Sequence, residues 1–241
     1  MQYDATVTNK KTRTVLTGLL FLLAVPILLA VGVFILHDRS YYLISLLLII
    51  CSMIPFVWLF ERRKPQAREL VVLATLIALA VAGRAAFFML PQVKPVIAIV
   101  ILAAVCLGAE SGFLVGAMTG FVSNFFFGQG PWTPWQMFCF GLIGYLAGVL
   151  VQSGWLPAKK IPLCIFGGLA TFLIYGGIMD PAAVLVAQGY LSWQTVLVAY
   201  GAGVWFNLIH AVSTVVFLFL FYGPLTQKLE RVKNKYGLLD G

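Results

Sequence analysis

Few polar side chains interrupt the apolar runs of this chain, and those few are the ones equipped for chemistry: Arg84, Asn124, Tyr145, Asn207 and His210. Arg84 lies deep enough in its run to fall in the outer third of a bilayer, where an unpaired charge is expensive. Snorkelling to the surface, a loop carbonyl or a ligand must satisfy it. Asn207 and His210 stand at i, i+3 on one helix face, and with Asn124 and Tyr145 they are expected to converge on one polar interior. A lone histidine more often packs than ligates, and no cluster of Cys, His and carboxylates accompanies it, so neither a metal nor a cofactor is expected. Catalysis lacks a constellation: the chain has no G-x-x-x-x-G-K-[ST] loop, H-E-x-x-H pair or G-x-S-x-G elbow. Glu110 and Asp180 fall at predicted helix ends, so an intramembrane carboxylate for ion coupling is missing too.

A second set of candidates lies in three connections. The first leads through Phe87 and Phe88 to Pro91-Gln92-Val93-Lys94-Pro95, where Lys94 is read as an interface anchor. The second runs from Gly128 through Gln129, Trp132 and Trp135 to Gln136, and the third from Met179-Asp180-Pro181 through Tyr190 and Trp193 to Gln194. Aromatics, amides, Gly and Pro dominate them, a composition suited to a recognition cap for an uncharged or weakly charged organic molecule. Trp132 and Trp135 also fit an interfacial aromatic belt.

The elements that must position these residues follow from composition. The 241 residues are 61% hydrophobic and only 10% charged, with mean hydropathy +0.99, against about 25% charged in soluble domains. Apolar runs of transmembrane length point to helices rather than a barrel. The expected fold is all-α, a polytopic membrane helical bundle. Two runs, Thr14 to Leu36 and Tyr41 to Phe60, form an amino-terminal hairpin closed by a basic linker, giving a first unit 1–68. Six more runs, Glu69–Leu90, Lys94–Leu107, Glu110–Phe127, Gln136–Gln152, Lys160–Met179 and Thr195–Tyr222, form a core over 69–226, and 227–241 is a basic tail. The run from Lys94 is the shortest and the least secure as a span.

The net charge of +8 maps topology rather than nucleic-acid binding. With a cytoplasmic amino terminus, residues 10, 11, 13, 62, 63, 64, 68, 159, 160, 228, 231, 233 and 235 all fall inside, and of the 16 Lys and Arg only Arg39, Arg84 and Lys94 lie towards the outside. Both termini are therefore expected in the cytoplasm of a multi-pass cell-membrane protein. The four cysteines, Cys51, Cys106, Cys139 and Cys164, lie within or beside apolar runs and read as buried thiols. Ala74, Ala78 and Ala82 repeat at four-residue spacing, a small-residue face where a partner helix could approach or the bundle could pack internally. Gly112, Gly116 and Gly120 make a similar stripe, read as internal close packing.

Three stretches carry a resemblance: ELVVLATLIALAVAGRAAFFMLPQVKP (69–95), GFLVGAMTGFVSNFFFGQGPWTPWQM (112–137) and FGLIGYLAGVL (140–150). They resemble the substrate-binding (S) component of energy-coupling factor (ECF) transporters, the vitamin-uptake branch of the ABC systems, and among these the cobalamin-type branch. The resemblance implies a six-helix S-component core with two extra amino-terminal helices, no enzymatic activity in this chain, and uptake of cobalamin or a related corrinoid. Riboflavin or another water-soluble vitamin is the alternative. It implies a transmembrane coupling (T) protein and two cytosolic ABC ATPases as partners, with Ala74, Ala78 and Ala82 as the docking face. It assigns the vitamin to Arg84, Phe87, Phe88, Gln92, Gln129, Trp132, Trp135, Gln136, Tyr145, Tyr190, Trp193, Asn207 and His210, beside Asn124 from the polar set. Rival readings are an ion-coupled secondary transporter or channel for a small organic solute, and a membrane enzyme built on His210 with Ser213 or Tyr145.

Overall fold

The computed structural model describes residues 66–237, together with residues 50, 51, 53, 54, 57, 58, 60 and 61. The first apolar run, most of the second and the linker residues 62–65 lie outside the described residues. The described core is helical throughout: α1 (Ala67–Ala86), α2 (Val96–Leu107), α3 (Ala109–Phe127), α4 (Thr133–Gln152), α5 (Lys160–Ala170), a π-helical turn (Thr171–Gly176), α6 (Gly177–Gln188) and α7 (Trp193–Tyr236). Since α5, the π turn and α6 are continuous, described residues 66–237 form six rods joined by short connections. Among the described residues four rods are long and apolar enough to cross a membrane: α1, α4, the α5–α6 rod and α7. The protein is a multi-pass membrane helical bundle.

The short run from Lys94 becomes the central helix. At 1.5 Å per residue α2 is only about 18 Å long, short of a hydrocarbon core of about 30 Å. It is apolar on every face, and such a helix belongs inside. Of its 12 residues all but Val105 are buried. Its chain reverses through one residue, Gly108, whose φ of +97° lets α3 begin at Ala109.

The glycine stripe of α3 packs internally. A Cβ on Gly116 would lie 2.5 Å from the Phe140 carbonyl carbon and 2.7 Å from the Gly141 nitrogen, and one on Gly144 would lie 2.7 Å from the Gly112 carbonyl carbon. Backbone thus meets backbone along α3 and α4, a contact only small residues permit. Of the described amino-terminal residues, Met53 packs on the cluster of Ala109, Phe113, Ala117 and Tyr145, and Phe60 is buried in the main core.

Pro181 and Pro224 lie inside helices, beyond the ends expected at Met179 and Tyr222. The expected third connection, from Met179 onward, is helical to Gln188, leaving a turn that closes on Gly189 at φ +77°. Pro181 has no N–H for the carbonyl four residues earlier, Gly177, and the Tyr200 hydroxyl donates to that carbonyl instead at 2.8 Å. The Asp180 carboxylate lies over Gly203 and the Asn207 amide over Gly176, where a Cβ would clash with either. Asn207 Nδ2 donates to Asp180 Oδ2 at 2.8 Å. α7 starts at a capping box in which Ser192 Oγ accepts from Thr195 N and Thr195 Oγ1 accepts from Ser192 N. It then continues through Pro224 to Tyr236, so the expected boundary at 226/227 falls within one helix.

Candidate functional site

The polar letters of the sequence meet near the carboxyl-terminal ends of α1 and α3 and the amino-terminal end of α4. Arg84, in the last turn of α1, is buried at 9% exposure. Its Nη1 donates to Ser123 Oγ, to Asn124 Oδ1 at 2.8 Å and, weakly, to Gln136 Oε1 at 3.4 Å. Its guanidinium carbon stands 5.0 Å from the centre of the Phe127 ring. Asn124 Nδ2 then donates to Thr133 Oγ1 at 3.0 Å, and that hydroxyl also accepts the Gly130 N–H at 3.2 Å. The cap between α3 and α4 is thereby tied to the guanidinium.

The network continues into the π turn. Gln136 Nε2 donates to the Tyr175 hydroxyl at 3.1 Å. The Tyr175 ring stacks on Phe140 at 5.2 Å and meets the edge of His210 at 4.8 Å. His210 is 2% exposed, and neither ring nitrogen has a hydrogen-bond partner. Buried polar atoms are seldom left so, and each such atom in a native structure calls for an explanation. Trp135 Nε1 is a second buried donor in this condition.

Above this cluster the first connection crosses to α7. Lys94 N donates to Ser213 Oγ at 3.0 Å, and Phe87 meets Phe217 edge-on at 5.0 Å. Burial, and then the positive charge of Arg84, hold the Lys94 ammonium below its ordinary range. Gln92 takes φ +61°, a left-handed conformation that non-glycine residues seldom adopt. A groove of about 390 Å³ opens beside the cap, between Ile50 and Met53 on one side and Phe121, Gln129–Pro131, Thr133, Pro134 and Met137 on the other. Thr133 borders both the groove and the hydrogen-bond network.

The predicted residues therefore separate into groups. Arg84, Asn124, Gln136 and His210 come together, with Trp135 beside them in sequence. Phe87, Phe88, Gln92, Gln129 and Trp132 form the surrounding connections: Phe88 stacks on Phe127 at 5.1 Å, Gln129 donates to the Phe121 carbonyl at 3.2 Å, and Trp132 is 40% exposed. Tyr145 does not join the polar interior. Nine residues beyond Gln136, it is half a turn out of phase at 3.6 residues per turn, and it packs with Ala109, Phe113 and Ala117 instead. Asn207 is engaged by Asp180. Tyr190 and Trp193 are exposed at the tip of the α6–α7 hairpin. Ser123, Thr133 and Tyr175 belong to the network although nothing in their spacing singled them out. Ala74, Ala78 and Ala82 are all exposed along α1, opposite the buried stripe of Leu73, Leu76, Ala80 and Arg84.

Among the described residues no group of three or more His, Cys, Asp or Glu is placed to hold a metal. The arrangement is one of hydrogen-bond donors, acceptors and aromatic faces, suited to holding an organic molecule.

The sequence profile of the ECF-type riboflavin transporter S component family matches residues 64–226. The chain belongs to this family. The match takes in all six rods apart from the last ten helical residues of α7. A UPF0397 protein of Vibrio atlanticus (strain LGP32) is 30% identical over 168 residues, 64% of this chain and 90% of that protein. No solved structure matches the chain. This S component is accordingly a membrane vitamin-uptake subunit that binds substrate and does no catalysis of its own. The cobalamin branch suggested by the sequence finds no support in these similarities, whereas riboflavin, the alternative, is the vitamin of the family description.

Proposed function

We propose that this S component captures a riboflavin-type vitamin from outside the cell in the cluster around Arg84, Asn124, Gln136, Tyr175 and His210. The observation that carries this reading is His210: an imidazole at 2% exposure with both nitrogens unpaired, set edge-on against the Tyr175 ring. A packing histidine finds a partner; a binding histidine keeps its atoms for a ligand. The loops around Phe87–Lys94 and Gly128–Trp132 cover the site, and Trp132 and Phe88 offer exposed ring faces for an aromatic vitamin.

Energy comes from other chains. A T component docks on the exposed Ala74, Ala78 and Ala82 face, and two cytosolic ATPases drive the cycle. The amino terminus and the basic end of α7 lie in the cytoplasm, in keeping with the placement of the Lys and Arg residues. The test is the absorbance spectrum and mass of what protein purified from riboflavin-fed cells carries. An isoalloxazine band that disappears in Gln136→Leu is expected. A corrinoid spectrum, or a flavin band unaffected by Gln136→Leu, contradicts the assignment.

A further inference from the structure

The charge of the cluster bears on which molecules it can hold. Arg84 is a buried cation whose hydrogen-bond acceptors, Ser123, Asn124 and Gln136, are all neutral. Of the carboxylates on described residues, Glu69 and Glu110 open α1 and α3 at the opposite end, Glu230 lies near the end of α7, and Glu61 precedes α1. Only Asp180 falls in the same half of the bundle, and it accepts from Asn207. Lys94 adds a second positive charge close enough for Arg84 to disfavour its protonation. Buried charges in a bilayer are normally paired, and among the described residues no carboxylate pairs with Arg84.

We propose that the molecule captured here carries an acidic group, a carboxylate or phosphate, which displaces the neutral oxygens from Arg84 and lies against the unpaired His210 ring. The inference rests on the cluster being the vitamin site and adds the substrate's charge. Neutral acceptors can hold a guanidinium in the empty state, but an anion gains both the charge and the bidentate fork. The imidazole fits the same group, because one nitrogen can donate to an anionic oxygen in either tautomer.

Riboflavin and riboflavin 5′-phosphate make a matched pair of probes, identical except for the phosphate. Binding of each to protein in nanodiscs is measured by quenching of flavin fluorescence, for wild type, Arg84→Gln and Arg84→Lys, with folding checked by thermal unfolding. The mass and charge of any copurifying organic molecule are determined in parallel. Wild type should favour the phosphate form by about tenfold or more, a gap that closes in Arg84→Gln and partly returns in Arg84→Lys. Equal or tighter binding of riboflavin, or equal weakening of both probes by Arg84→Gln, overturns the inference and leaves vitamin capture standing. If neither flavin binds, an acidic copurifying molecule supports the inference and a neutral or cationic one overturns it. Absence of any bound molecule overturns the underlying vitamin-site reading, and the inference with it.

Discussion

Replacing Arg84 with Met should separate binding from stability. The side chain makes two well-formed charged hydrogen bonds, to Ser123 and Asn124, and a long one to Gln136. Charged hydrogen bonds contribute about 1.5–3 kcal/mol each, so roughly 3–6 kcal/mol of favourable interaction is removed. The same substitution removes a buried charge whose desolvation penalty is itself several kcal/mol, and an apolar side chain of similar length fills the space. The two effects nearly cancel, leaving a net change within about 2 kcal/mol of zero. Ligand affinity has no such compensation and should fall roughly 10- to 150-fold, the equivalent of one charged hydrogen bond. Cys51, expected from the sequence to be a buried thiol, is exposed. In a Cys51→Ser background, stability can be followed through the buried thiols of Cys106, Cys139 and Cys164 with a thiol-reactive dye during heating, since these become reactive only on unfolding. Affinity is read by titration of the purified protein. A variant destabilised by about 4 kcal/mol or more with unchanged affinity would show that Arg84 is a structural strut, and the reasoning about the site would be wrong.

Other substitutions test the remaining parts. Gly116→Val drives a side chain into the Phe140–Gly141 backbone, so it should destabilise by at least about 1–3 kcal/mol; an unchanged unfolding temperature would refute the backbone contact of α3 and α4. Ala78→Trp should abolish vitamin uptake by cells while leaving binding by the purified protein intact, because Ala78 is exposed and far from the polar cluster; loss of binding would reverse that assignment. Lys94 titrates below its unfolded value of 10.5, so its protonated form opposes folding below its folded value and the penalty fades as pH rises to 10.5. Lys94→Met should therefore be more stable at neutral pH and lack the wild-type gain in stability on the alkaline side, measured by unfolding across that range.

Arg84, Asn124 and His210 were legible in the sequence because a polar letter inside an apolar run must be buried with partners or with a ligand, and Gln136 because it closes the amide- and aromatic-rich connection before α4. Tyr145 satisfied the same rule yet faces α3, and helical phase relative to Gln136 already contained that answer. Tyr175 was not legible: it reaches Gln136 through a π turn, and a π turn shifts the helix face by an amount that a 3.6-residue period does not anticipate. The helix ends expected at Met179 and Tyr222 lie inside helices that run on through Pro181 and Pro224, although proline ordinarily breaks the ladder. At Pro181 the freed Gly177 carbonyl is taken up by Tyr200, 23 residues away, a tertiary hydrogen bond outside the reach of local pattern. α2 is the converse case. Its shortness argued against a span, and its unbroken apolarity is what placed it at the centre of the bundle.

The division of labour between this chain and its partners can be measured in liposomes, with the purified chain reconstituted alone or with a T component and two ATPases. The account predicts that radiolabelled vitamin accumulates only when the partners and ATP are present, while the chain alone binds the vitamin without moving it. Accumulation by the chain alone under an imposed ion gradient would contradict the account.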